Sequence, residues 1–182
     1  MKQLGAVAVV VLLMCGKGNA QNNIWKTTQS RTSFYSKALL EDITALNNAA
    51  TSAINTATNE VVVRIPIKQF DFPNNLMEEH FNENYLESDK YPFATFQGKI
   101  KEAIDWQQAG KKEVSAEGVL NIHGVNQPRT LSGTLLVAPG KLQVNAQFMV
   151  RLADHKIKVP KLVFQKIAET IDVNCQFVYE TK

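Results

Sequence analysis

Residues 131–152 read LSGTLLVAPGKLQVNAQFMVRL. Apolar side chains fall on alternate positions, Leu131, Leu135 and Val137 before the Pro139-Gly140 pair and Leu142, Val144, Ala146, Phe148, Val150 and Leu152 after it. A two-residue period places one set of side chains on one face of an extended strand, and Pro-Gly is a turn dipeptide. The stretch therefore predicts an antiparallel hairpin with one apolar face.

The same rhythm runs outward in both directions. Val61, Val63, Ile65 and Ile67 alternate with Val62, Arg64, Pro66 and Lys68, and Val114, Ala116, Gly118, Leu120 and Ile122 form another series. Ile171, Val173, Cys175, Phe177 and Tyr179 close the chain in the same way, a shorter strand is expected at Ala94, Phe96, Gly98 and Ile100, and others near residues 24–34 and 55–57. Many short strands separated by turn signals predict an all-β sandwich or barrel, and the pattern alone fits both. Gly98, Gly118 and Gly133 inside strands suit strong curvature, and closure would remove the sheet edges that invite aggregation.

Three segments break the two-residue rhythm. Leu39, Leu40, Ile43 and Leu46 after Ser36 predict one helix by their 3.6-residue spacing, and Leu76, Met77, Phe81 and Tyr85 after Pro73-Asn74 predict a second, with Glu78 and Glu79 in its first turn. A third short helix is expected over residues 162–169. Each offers a single apolar stripe, so all must pack on the sheet, giving one domain with two or three short helices.

At the amino terminus Lys2 precedes an apolar run over residues 4–14 and the small side chains of Gly18 and Ala20. The run is shorter than the ~20 residues a spanning helix needs and fits a secretory signal, so residues 1–20 are expected to be removed and 21–182 to form the mature domain. Met14 before Cys15 is bulkier than the small residue that usually precedes a lipidated cysteine, which disfavours anchoring there. Removal leaves roughly 160 residues, enough for one core, with no spanning segment and a periplasmic or secreted location. It also takes Lys2 and Lys17 from a total of 20 Lys+Arg against 17 Asp+Glu, so the mature chain is nearly neutral. A neutral chain lacks the basic face that nucleic-acid binding requires. Cys175 is then the last cysteine, which excludes an internal disulfide and a cysteine-based zinc site.

Signals for chemistry are missing. There is no Gly-x-Ser-x-Gly elbow, P-loop or Gly-x-Gly-x-x-Gly stretch, and no carboxylate pair stands out, so no enzyme activity, cofactor or catalytic residue is expected. His80 with Glu79 and Glu83 lacks a second histidine, so no metal is assigned. His123 beside Gly124 is expected to satisfy backbone groups at a hairpin turn, and Asp154-His155 to form an exposed turn pair.

Residues 77–92, MEEHFNENYLESDKYP, followed by Ala94, Thr95, Phe96 and Gly98, resemble the YceI-like family of polyisoprenoid-binding proteins. Residues 118–125 with Pro128 and Thr130 agree, as do residues 148–152 with Asp154, Ile157 and Pro160, so the resemblance runs in order over residues 58–180 and is weaker over 21–57, as in a divergent branch. It implies a lipocalin-like, antiparallel eight-stranded barrel, exported to the periplasm, whose lumen accepts a long isoprenoid or lipid-like chain for transport, storage or envelope stress, with no catalytic residues. A homodimer is compatible with it.

The family's ligand contacts form no linear motif, so lumen candidates come from periodicity and side-chain area: Phe34, Ile65, Phe70, Phe72, Met77, Phe81, Phe96, Leu120, Leu135, Phe148, Val150 and Phe177. Met77, Phe81 and Tyr85 share a helical face and would form a lid over one mouth. The competing expectation is a non-catalytic envelope interaction module with a filled core. Its sign would be a cavity below the roughly 300 Å³ of ordinary ligand pockets together with an exposed apolar patch.

Overall fold

The computed structural model describes residues 23–37, 42–158 and 168–180. Among them, nine strands form one antiparallel sheet that closes on itself. In chain order these are β1 (Ile24–Ser36), β2 (Ile43–Asn47), β3 (Thr51–Asn55), β4 (Glu60–Pro66), β5 (Phe93–Ile100), β6 (Gly110–Ile122), β7 (Val125–Ala138), β8 (Lys141–Arg151) and β9 (Thr170–Glu180). Each pairs with its neighbour from β3 to β9, and β9 returns to β1 from Thr27–Tyr179 to Tyr35–Asp172. Pattern alone left sandwich and barrel open; the β1–β9 ladder decides for the barrel.

The strands β2 and β3 fill one strand position. Lys26 lies opposite Ala53 and Thr32 opposite Asn47, so the register along β1 is the same on both sides of residues 48–50. The barrel is therefore eight-stranded with one strand split in two. Asn47 causes the split: fully buried, its Oδ1 accepts from the Ala49 N–H at 2.8 Å and its Nδ2 donates to the Pro66 carbonyl at 2.8 Å, a side-chain turn that breaks the extended run. Beyond it β2 leaves β4 and pairs instead with Asp71, through Leu46 N–H to Asp71 O at 3.0 Å and the reverse bond at 2.8 Å.

The helix expected over Leu39 to Leu46 is corrected here. Ile43, Ala45 and Asn47 are buried alternately in β2, whereas Leu39 and Leu40 lie outside the described residues. The 3.6-residue spacing misled because Asn47, a polar residue, occupies a core-facing position and hid the period of two. Of the third expected helix, Ala168 and Glu169 are non-helical and residues 162–167 lie outside the described residues. The second is present as α1 (Asn75–His80), capped by Asn74, whose Oδ1 accepts from Leu76 N–H at 2.9 Å, and it runs into a π-turn over Phe81–Tyr85.

One end of the barrel is shut. Ile54, Leu135, Val137, Leu142, Cys175, Phe177 and Tyr179 fill it, with Ile104 and Trp106 packed over them. The covering loop is held by Trp106 Nε1–H to Asn59 Oδ1 at 3.1 Å and by Glu102, which accepts from the N–H and hydroxyl of Ser115 at 2.8 Å each. Those two bonds hold the Glu102 carboxyl below the usual range. Tyr179 meets Ser52 Oγ at 2.8 Å, and burial pushes its phenol upward.

Strand curvature depends on missing side chains at two places. Gly98 faces Gly118, where a Cβ on Gly118 would strike the Gln97 carbonyl. Gly133 sits at the last β7–β8 pair, and toward the other end these strands part, bridged by Arg129 Nη2 to Met149 O at 2.7 Å and Gln127 Nε2 to Asp154 O at 2.6 Å.

Cys175 is buried, and burial pushes its thiol up to about 11. A chain lacking residues 1–20 is expected to leave Ellman's reagent unreacted at pH 8 while native and to consume one equivalent once denatured. Labelling of the native protein within minutes would mean that the barrel opens far more often than its packing implies.

Candidate functional site

At the opposite end lies a cavity of about 150 Å³ between the barrel and the α1 segment. Among the described residues its wall is apolar or aromatic except for Thr32, Ser36 and His80. It draws Phe34 from β1, Ile43 from β2, Ile65 from β4, Leu120 and Ile122 from β6, Phe148 and Val150 from β8, and Ile171 and Val173 from β9. These are inward positions of alternating strands, so the period read in the sequence builds the wall directly.

Nine of the twelve lumen candidates line this cavity: Phe34, Ile65, Phe70, Phe72, Met77, Phe81, Leu120, Phe148 and Val150. Phe96 does not; it packs beneath the cavity with Leu120 and Val150. Leu135 and Phe177 belong to the closed end. All three point inward, but at strand levels below the cavity floor. Lining residues outside the candidate set include Ile122, Ile171 and Val173, which continue the same alternations on β6 and β9. Ile157 and Leu86 sit in irregular segments and carried no periodic signal.

Four phenylalanine rings cover the top. Phe34 lies 5.4 Å from Phe70, 5.8 Å from Phe72 and 5.5 Å from Phe81, and Phe81 lies 5.0 Å from Phe72 and 5.6 Å from Phe70. Such edge and stacked contacts add about 0.5–1.5 kcal/mol each beyond burial. The extra residue of the π-turn aims Phe81 and Tyr85 at the barrel. No residue of α1 or the π-turn is fully buried, and Leu76 is 57% exposed. The segment is a thin cover resting on Met77 and Phe81.

Its far end is tied down. Glu87, at φ 44°, meets His123 Nε2 at 2.6 Å, and the other ring nitrogen of His123 lies 3.2 Å from the His155 carbonyl. Tyr91 packs edge-on against His123 at 4.5 Å. His123 thus does satisfy a backbone group, and it also joins the cover to the β6–β7 hairpin. His155 corrects an expectation: it is fully buried, with Nδ1 at 3.2 Å from the Val125 carbonyl, and desolvation holds it below the ordinary histidine range. His80 is exposed at the cavity rim. Among the described residues no group of three or more His, Cys, Asp or Glu could hold a metal ion, and no helix is long and apolar enough to cross a membrane.

A closed antiparallel barrel, plugged at one end and hollow and apolar at the other, has the lipocalin-like architecture of small-ligand barrels. The YceI-like domain matches residues 25–179, and the chain belongs to the YceI-like family. Among solved structures it is similar to a polyisoprenoid binding domain from Saccharophagus degradans implicated in plant cell wall breakdown, at TM-score 0.71 and 15% identity over 88% of this chain and 99% of that one. BcnA of Burkholderia cenocepacia superposes at TM-score 0.67 and 16% identity, covering 82% and 95%. The YCEI protein of Campylobacter jejuni follows at 0.58 and 19%, covering 80% and 85%. No curated protein matches the chain.

Proposed function

We propose that this protein is an exported, non-enzymatic carrier of the cell envelope that holds one end of a long isoprenoid or lipid-like molecule in the mouth cavity, for transport, storage or envelope stress. The observation that carries the reading is the apolar wall, which continues from the barrel strands onto a cover with no fully buried residue. Each methylene withdrawn from water there contributes about 0.8 kcal/mol before the cost of ordering the chain. The polyisoprenoid binding domain among the similar structures points the same way.

At about 150 Å³ the cavity is half the size of the smallest ordinary ligand pocket, ~300 Å³. A long chain enters only if the α1 segment swings outward and Phe81 yields its place. The same volume favours the second reading, a filled-core interaction module. Against that module, the exposed apolar side chains Val62, Leu76, Val119, Leu136 and Met149 are distributed over α1 and several strands.

Native mass spectrometry of protein purified from the envelope fraction without added ligand separates the two. The carrier reading expects a chain beginning at Gln21 with an additional mass that organic solvent removes. Repeated preparations that are empty, and that fail to take up geranylgeraniol, would leave the interaction module.

A further inference from the structure

The cavity wall holds one hydroxyl without an oxygen or nitrogen partner among the described residues. Thr32 is 1% exposed, lines the cavity from β1, and its Oγ1 has no nitrogen or oxygen within hydrogen-bonding geometry. Its cross-strand neighbours serve it poorly. Asn47, opposite on β2, has both side-chain atoms committed to Ala49 and Pro66. Cys175, opposite on β9, is the one group among the described residues that interacts with it, but burial keeps that thiol neutral, and a neutral thiol is a weak hydrogen-bond partner. Ser36, the other hydroxyl of the wall, already accepts from the Ala168 N–H at 3.1 Å. A hydroxyl buried without a partner is destabilising, so natural cores retain one mainly where something else completes it.

Thr32 stands at the inner end. From Ser36, where β1 ends toward the mouth, it is four residues deeper, about 13 Å of strand. The geometry points to a ligand whose oxygen-bearing end goes in first: a terminal alcohol, aldehyde, ketone or quinone-type carbonyl accepts from Thr32 at the cavity floor, and the hydrocarbon tail leaves under the α1 segment. This inference rests on the carrier reading and adds polarity and direction to the ligand. A site that offers one buried donor discriminates against an otherwise equal hydrocarbon, because the donor then stays unpaired.

The test compares three ten-carbon isoprenoids, geraniol, geranial and myrcene, by calorimetric titration of the wild type, Thr32→Val and Thr32→Ser. The wild type should bind geraniol and geranial about tenfold tighter than myrcene, as one net hydrogen bond allows. Thr32→Val, which keeps the branched shape, should bind all three alike and melt no lower than the wild type without ligand; Thr32→Ser should restore the preference. Equal binding of all three by the wild type, or a preference surviving in Thr32→Val, overturns the inference and assigns the hydroxyl to a water. If the wild type binds none of them, the carrier reading fails with it.

Discussion

Replacing Phe81 by Ala is expected to speed uptake of the apolar dye N-phenyl-1-naphthylamine on the order of thirtyfold in stopped-flow fluorescence. Phe81 is the point at which the cover grips the barrel, since its ring touches Phe34, Phe70 and Phe72 at once. A fully buried Phe→Ala change costs about 3–5 kcal/mol. Phe81 is only partly buried, so about 2 kcal/mol is the appropriate loss. The ring's contacts are made when the cover is down and lost when it is up, so that loss appears as easier local opening, and 1.4 kcal/mol corresponds to a factor of ten. Uptake unchanged in Phe81→Ala would show that ligands do not pass beneath the α1 segment. A Phe34→Ala control, which alters the barrel side of the same contact, should enlarge the cavity without freeing the cover's other contacts, and should change uptake less.

The second large effect belongs to the other end. Leu135→Ala is expected to remove about 3–5 kcal/mol of stability in urea unfolding, the upper part of the range for core leucines. Leu135 is 0% exposed and sits with Leu142, Cys175 and Phe177 in a core closed over by Ile104 and Trp106. β7 and β8 are hydrogen-bonded to each other there, so the backbone has little freedom to collapse into the void. For a chain of this size that loss lowers Tm by roughly 10 °C. Dye uptake below the transition should be unchanged, because the cavity lies at the opposite end. A loss under 1 kcal/mol would show that the closed end is loosely packed.

A single alternating pattern carries different information at different depths of the barrel. Leu135 and Phe148 are both inward positions of the hairpin over residues 131–152, and in sequence nothing separates them. One is solid core and the other cavity wall. Likewise Phe177 and Val173 alternate on β9, one at the closed end and one at the hollow end. The helix expected across Ile43 and Leu46 failed for a related reason: Asn47 is buried because two distant backbone groups satisfy it, which no local window reveals.

The period of two, the turn dipeptides and the Asn74-capped helix were legible from the chain alone, because each depends on φ and ψ and on neighbours a few residues away. The resemblance over residues 58–180 carried the barrel, and the β1–β9 ladder is its physical basis. The depth of each inward side chain was decided only in three dimensions. Depth depends on how each strand is staggered against strands far away in sequence, and that stagger sets which end is plugged, where the four rings meet and why Thr32 is left facing a hollow.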